Sequence, residues 1–151
     1  MLKKIINNPV LNLAVRILLG LIFVIAAVSK ISDPASFAMD ITNYGILPDF
    51  LINLMAITLP WIELICGIFL LSGILLKSSS AVSLGLYIIF ICAVGIALIK
   101  GLNINCGCHA KFTTENVSLR KLLENTGLLA LSFYLYFFPN KKFTIENLIV
   151  K

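Results

Sequence analysis

The stretch RILLGLIFVIAAVSKISDPASF, Arg16 to Phe37, decides the fold. Its first part belongs to an apolar run that begins near Val10 and is long enough to cross a bilayer as a helix. Asp33 and Pro34 then supply a capping side chain and a proline, which together mark the start of another helix. The stretch therefore predicts one membrane span and, directly after it, a short second helix.

The composition of the whole chain excludes a water-soluble domain. Of the 151 residues, 60% are hydrophobic and 13% are charged, and the mean hydropathy is +1.02. A soluble domain of this length needs more polar residues to cover its surface. The net charge of +5 does not indicate nucleic acid as a partner, because the basic residues stand singly or in pairs at the ends of apolar runs. We expect the lipid bilayer as the surrounding medium and no contact with nucleic acid.

Four segments are long and apolar enough to span a bilayer, and they cover about 10–28, 52–76, 81–99 and 119–138. The first is interpreted as a retained helix, since Arg16 lies inside it and no convincing signal-peptide cleavage site follows. The serine-rich segment 77–80 is expected to be the loop between the second and third spans. The sequence thus predicts an all-α integral membrane four-helix bundle that forms a single domain, 1–151.

The first loop predicts a short amphipathic helix. Phe37, Ile41 and Tyr44 recur at spacings of four and three residues, which places them on one apolar stripe, and Gly45 is a plausible stop. We expect this helix to lie on the outer membrane surface. It serves either as a connection that packs on the bundle or as a lid over the site.

The orientation rests on the cysteines more than on the charges. With the N-terminus in the cytoplasm, slightly more basic residues lie inside than outside, which is weak support from the positive-inside rule. The same orientation places Cys106 and Cys108 outside, where disulfides form and persist. We therefore expect both termini in the cytoplasm.

Three of the predicted spans carry a helical face of small and polar residues, which is the side expected to face the bundle interior. These faces are Asn12, Arg16, Gly20, Ala27 and Lys30 in the first span, Pro60, Glu63, Cys66, Gly67 and Gly73 in the second, and Ala81, Gly85, Cys92 and Gly95 in the third.

Arg16 and Glu63 are charges within spans, and such charges are unfavourable unless they are paired or hydrated. One interpretation is an Arg16–Glu63 ion pair that locks the first two spans together. The other is a site that binds a quinone or moves protons. The helical rise separates the two residues in depth by roughly 10 Å, so direct contact requires a long reach, a water or shifted helix boundaries.

The stretch GLNINCGCHAKF, residues 101–112, holds Cys106 and Cys108 with one glycine between them. Residues i and i+2 can form a disulfide only where the backbone bends, and Gly107 permits that bend. A disulfide across so short a loop stabilises little, which favours a redox role over a static bridge. With His109, the two cysteines can also be ligands to copper or zinc, but the set lacks a fourth ligand and we expect no metal.

His109 and Cys92 are auxiliary candidates. An imidazole beside Cys108 either favours its thiolate or is a solvent-exposed bystander. Cys92 lies about two turns below the outer end of the third span, so it is better placed than Cys66 to relay electrons. The alternative for both Cys66 and Cys92, which lie within predicted spans, is that they are small packing residues.

Three stretches carry a family resemblance: RILLGLIFVIAAVSKISDPASF with Arg16, Gly20, Lys30 and Pro34, LPWIELICGIFLLSG with Pro60, Glu63 and Gly67, and GLNINCGCHAKF with its Cys-Gly-Cys. With these residues the chain resembles the DoxX-like membrane proteins and, within them, the methylamine utilisation protein MauE branch. The resemblance implies a four-span protein of the bacterial cytoplasmic (inner) membrane that is linked to thiol–disulfide chemistry. In that branch the chemistry is associated with maturation of the disulfide-rich small subunit of methylamine dehydrogenase, alongside a thioredoxin-like partner.

We therefore expect a membrane thiol–disulfide oxidoreductase. Cys106 and Cys108 would exchange electrons with a thioredoxin-fold partner outside the membrane and pass them to a quinone held near Glu63 and Arg16. A non-catalytic membrane assembly or docking subunit is the alternative, followed by a small-solute or metal carrier. The sequence is also compatible with a homo-oligomer.

Overall fold

The structure is a computed structural model that describes residues 8–101 and 119–139. Regular structure in these ranges is helical throughout, which confirms the predicted all-α class. The helices are α1 (Pro9–Ser32), α2 (Pro34–Tyr44), α3 (Asp49–Ser72), α4 (Leu76–Ile99) and α5 (Leu119–Phe137).

Three of these helices, α1, α3 and α4, are long and apolar enough to cross a membrane, and each has 24 residues. They match the first three predicted spans. The helix α5 coincides with the fourth predicted span and has 19 residues. Arg120, Lys121 and Glu124 in its first turns reduce its hydropathy, and α5 is not among the candidate spans found in the described residues.

The predicted start of α2 is confirmed in detail. Asp33 caps the helix by accepting a hydrogen bond from the Ser36 N–H at 3.0 Å, and Pro34 occupies the first turn, where a missing N–H does no harm. Gly45 ends the helix in the left-handed conformation at φ 57°. Phe37 and Tyr44 are buried, so the predicted stripe faces the protein. The position of α2 relative to the bilayer stays a prediction.

The turn between α3 and α4 comes earlier than expected. Gly73 ends α3 at φ 73°, and Leu75 also has a positive φ of 48°. The helix α4 then begins at Leu76, so residues 77–80 form its first turns, and the predicted loop is wrong. Serine is compatible with these turns because the Ser80 hydroxyl donates to the Leu76 carbonyl oxygen, four residues back, at 2.7 Å.

The helices α1 and α3 pack closely through two glycines. A Cβ added to Gly67 would lie 3.0 Å from the Gly20 carbonyl oxygen, and a Cβ added to Gly20 would lie 2.6 Å from Leu71 Cγ. Small residues permit this approach. The interior faces predicted for the first two spans are confirmed, because all of their residues are buried.

The interior face predicted for the third span is wrong. Ala81 and Cys92 are exposed, and a Cβ added to Gly85 or Gly95 would meet nothing within 4 Å. The buried face of α4 instead carries hydroxyl groups, among them Ser83. Lipid offers no hydrogen-bond partner, so hydroxyl groups are more stable on the face that packs against other helices. Small apolar residues are tolerated on either face of a membrane helix, so they do not identify the interior face.

The helices α4 and α5 run antiparallel along one another. The Ser83 hydroxyl donates to the Ser132 hydroxyl at 2.6 Å, and Lys77 Nζ lies 5.8 Å from the Tyr136 ring centroid. At the other end of α4, Ala97 belongs to an apolar cluster against which Leu122 packs. The first turn of α5 therefore lies next to the last turn of α4 in space.

One end of the bundle, here called the α2 end, brings together α2, the last turns of α1 and α4, and the first turns of α3 and α5. Tyr44 of α2 packs there with Val94 and Ala97 of α4. The connection between α4 and α5 thus starts and finishes at this end. It contains Cys106, Cys108 and His109, which lie outside the described residues.

Candidate functional site

A buried ion pair joins α1 and α3 near the α2 end. Lys30 Nζ lies 2.7 Å from Oε1 and 2.8 Å from Oε2 of Glu63, and the side chains are only 4% and 1% exposed. Helical side chains lean towards the N-terminus of their own helix. Because α1 and α3 are antiparallel, Lys30 leans into the bundle and Glu63 leans towards the α2 end, so the two charges converge.

Two aromatic rings enclose the ammonium group of this pair. Lys30 Nζ lies 4.9 Å from the ring centroids of both Phe37 on α2 and Phe90 on α4. At such distances the negative ring faces attract the cation. Lys30 therefore links α1 to α2, α3 and α4 at a single point.

Of the two interpretations of Arg16 and Glu63, the direct ion pair between them is wrong, because Glu63 pairs with Lys30. Arg16 lies near the opposite end of α1, where its Nε donates to the Leu70 carbonyl oxygen at 3.1 Å and its Nη2 to that of Leu71 at 3.3 Å. These carbonyls belong to the last turn of α3, which lacks intrahelical donors and carries the negative end of the helix dipole. Arg16 thus caps α3 from a neighbouring helix.

Lys30 was missed as the partner for a reason that the structure makes plain. The first span was expected to end at residue 28, which places Lys30 in the outer loop. The helix α1 continues to Ser32, so Lys30 stays on the interior stripe. The sequence did contain a signal for this role, because Lys30 lies on the same predicted interior face of the first span as Arg16 and Gly20.

An apolar cavity of about 320 Å³ opens among α2, α3 and α4 at the α2 end. Its wall includes Ile41 of α2, Leu59 of α3, and Cys92 and Ala93 of α4. Phe90, whose ring contacts the Lys30 ammonium, also lines it. The ion pair therefore lies directly behind the cavity wall.

Two polar groups stand in the α2 part of this wall, Asp40 and Tyr44. Burial, with a smaller contribution from the charge of Asp40, raises the pKa of Tyr44 to about 12. The Tyr44 hydroxyl therefore keeps its proton at physiological pH. The cavity thus offers a large apolar surface with a small polar part.

The predicted site residues occupy different places. Cys92 lines the apolar cavity, whereas Cys66 is buried and its Sγ lies 3.2 Å from the Ser79 carbonyl oxygen. Arg16 lies towards the other end of the bundle, away from Glu63 and the cavity. The redox roles of Cys106 and Cys108 stay predictions, and among the described residues no cluster of His, Cys, Asp or Glu could hold a metal ion.

Comparison with known proteins settles the family. The sequence profile described as "Methylamine utilisation protein MauE" matches residues 8–138, from the start of α1 past the end of α5. The chain belongs to the MauE family. This confirms the resemblance seen in the sequence, and the match includes the segment that holds the Cys-Gly-Cys. The three apolar helices and the MauE family membership together indicate a membrane protein.

Curated relatives carry the name methylamine utilization protein MauE. The MauE of Methylophilus methylotrophus is 28% identical over 140 residues, which are 91% of this chain and 74% of the relative. The MauE of Paracoccus denitrificans is 31% identical over 126 residues, which are 83% of this chain and 68% of the relative. No solved structure matches the chain.

Proposed function

We propose that the chain is a membrane thiol–disulfide oxidoreductase in which Cys106 and Cys108 exchange electrons with a thioredoxin-fold protein outside the bacterial inner membrane. The observation that carries the proposal is the Cys-Gly-Cys between α4 and α5, two helices that end and begin at the α2 end. The MauE family is named for methylamine utilisation. Maturation of a disulfide-containing exported protein in that pathway is the role that fits both facts.

The exchange consists of two displacement steps. In the oxidising direction, a thiolate of the partner attacks one sulfur of the Cys106–Cys108 disulfide, which forms a mixed disulfide and releases the other cysteine as a thiolate. The second thiolate of the partner then attacks the mixed disulfide. The partner leaves with its own disulfide, and Cys106 and Cys108 hold the two electrons and two protons.

A quinone is the proposed acceptor of these electrons. Bound near the pair, a quinone would serve as a two-electron, two-proton acceptor, so that the Cys106–Cys108 dithiol would return to the disulfide and a quinol would leave. The apolar cavity supports this step, because it lies at the α2 end and its wall is apolar apart from Asp40 and Tyr44. A quinone needs such a surface for its ring and a few polar groups for its oxygens.

The proposal includes α5 as a fourth span and α2 as an interfacial helix, with both termini in the cytoplasm. A helix of 19 residues is about 28 Å long, close to the thickness of a bilayer core. Far from the α2 end, Asn12 Nδ2 of α1 donates to the Phe138 carbonyl oxygen just after α5, at 2.8 Å. The helix α5 therefore runs the length of the bundle.

The variant Cys108→Ser tests the exchange. We expect the Cys106 thiolate to attack the disulfide of the oxidised partner. Without Cys108 the resulting mixed disulfide can only revert, so it should accumulate as an adduct that is visible in non-reducing gels and that dithiothreitol removes. Oxidation of the partner should be lost, because the Cys106–Cys108 disulfide cannot form. The variant Cys66→Ala leaves the pair intact and should form no adduct. Full function of Cys108→Ser without an adduct would contradict the proposal and favour a docking subunit.

The variant Ala93→Phe tests the quinone step. A phenyl ring at this position fills part of the apolar cavity, so reoxidation of the dithiol by a short-chain ubiquinone analogue should slow by about tenfold or more. Exchange with the partner should persist. Ala81→Phe, on the exposed face of the same helix, is the control and should leave the rate unchanged. If Ala93→Phe and Ala81→Phe were reoxidised by the ubiquinone analogue at equal rates, the cavity would be excluded as the quinone site.

A further inference from the structure

A second, much smaller cavity lies inside the bundle. Its volume is about 10 Å³, and its polar lining consists of Glu63, Tyr87 and Asn125. Phe90 lines both cavities and so stands between them. A cavity of this size has room for a single water molecule.

Two of the residues that line this cavity each carry a buried polar atom that has no hydrogen-bond partner among the described residues. These atoms are Tyr87 Oη and Asn125 Nδ2, and their side chains are 3% and 1% exposed, so neither reaches bulk solvent. A buried polar group that loses its hydrogen bonds to water and gains none is unfavourable. A hydrogen-bond partner inside the cavity would therefore stabilise both atoms.

Glu63 supplies the complementary acceptor. Its two carboxylate oxygens accept hydrogen bonds from Lys30, and each retains capacity for another. A water in the cavity can accept from Tyr87 and Asn125 and donate to Glu63. Three hydrogen bonds of this kind are typical of a buried water.

We propose that Glu63, Tyr87 and Asn125 bind one water molecule, which extends the Lys30–Glu63 ion pair into a polar network across four helices. The network joins α1 through Lys30, α3 through Glu63, α4 through Tyr87 and α5 through Asn125. A hydrated ion pair is less unfavourable in an apolar interior than a sealed one, because its remaining lone pairs are satisfied. The inference holds whether or not the chain exchanges disulfides.

Hydroxyl-radical footprinting by X-ray radiolysis tests the water in the unaltered protein, reconstituted in lipid nanodiscs. Radicals formed at a bound water label the side chains that contact it, so Tyr87 should be labelled. Leu70, which is fully buried and lines neither cavity, should not be labelled. In the variant Asn125→Leu, which removes one partner of the water, the label on Tyr87 should fall several-fold. An unlabelled Tyr87 in the unaltered protein would overturn the proposal.

The variant Tyr87→Phe gives a second test, because the sign of its effect separates a wet cavity from a dry one. With water present, the lost hydrogen bond lowers the midpoint of thermal unfolding. In a dry cavity, the substitution removes an unpaired hydroxyl, so the midpoint rises or stays the same, which would contradict the proposal. Asn125→Leu should also lower the midpoint less in the Tyr87→Phe background than alone, because both side chains act through one water. Additive effects would count against a shared water.

Discussion

Replacing Lys30 by methionine is expected to lower the free energy of unfolding by about 3–5 kcal/mol, because Glu63 loses its partner in an apolar interior and must either stay as an unpaired charge or take up a proton. Methionine keeps the length of the side chain and its contacts with the neighbouring rings, so the main loss is the charge. Thermal or denaturant unfolding in detergent micelles measures the change. Trp61 on α3, the only tryptophan of the chain, gives the fluorescence signal.

The double variant Lys30→Met, Glu63→Leu separates the charge from the packing. Replacing both members of a buried pair by apolar residues is often nearly neutral, so the double variant should recover most of the lost stability. Lys77→Met, at an exposed position of α4, is the control and should change stability little. A Lys30→Met variant as stable as the unaltered protein would show that the ion pair does not hold α1 to α3. The same conclusion would follow if the double variant lost as much stability as Lys30→Met and Glu63→Leu lose separately, added together.

Replacing Gly67 by alanine is expected to destabilise the protein by about 1–3 kcal/mol, the usual range for an overpacked interior. The added Cβ would lie 2.9 Å from Val24 Cγ2 and 3.0 Å from the Gly20 carbonyl oxygen. The valine side chain can move, but the carbonyl belongs to a helix backbone. The helices α1 and α3 must therefore separate, which also strains the Lys30–Glu63 contact. The change in the free energy of unfolding is measured by Trp61 fluorescence in detergent micelles, as for the Lys30 variant.

Gly85→Ala is the matched control for this substitution. A Cβ at Gly85 meets nothing within 4 Å, and alanine stabilises a helix interior relative to glycine by about 0.5–1 kcal/mol. The two substitutions should therefore have opposite signs. If Gly67→Ala were as well tolerated as Gly85→Ala, the close packing of α1 on α3 would be disproved.

Local signals in the sequence predicted much of the fold. The cap at Asp33, the proline at Pro34 and the stop at Gly45 each act within one helical turn, so they can be recognised without tertiary information. The interior faces of α1 and α3 were also predicted, because charges and glycines coincide on them. Arg16 and Glu63 must avoid lipid, and that requirement appears directly in the sequence pattern.

The wrong predictions arose where one local sequence pattern is compatible with two different structures. Serines near Lys77 are typical of a loop, yet they also fit the first turns of a helix when their hydroxyls bond to carbonyls four residues back. The turn itself was marked by Gly73, which takes the left-handed conformation. On α4, small residues such as Gly85 and Gly95 face away from neighbouring helices, so residue size alone did not identify its interior.

The site depended on tertiary structure that the sequence could not supply. Glu63 was recognised as important, but its partner follows from the exact end of α1 and from the antiparallel lean of two side chains. Cys92 was predicted to be auxiliary, and the structure places it in the wall of the apolar cavity. That cavity, and the polar one beside Tyr87 and Asn125, exist only through the packing of several helices.

Differential thiol labelling in intact cells tests the central claim, a redox-active pair outside the membrane, most directly. In a Cys66→Ala, Cys92→Ala background, a membrane-impermeant maleimide can react only with Cys106 and Cys108. The account predicts that both cysteines are labelled after mild reduction of the cells and that a substantial fraction resists labelling before it. Thiols that are fully reduced at all times, or that react only after the membrane is permeabilised, would contradict the account.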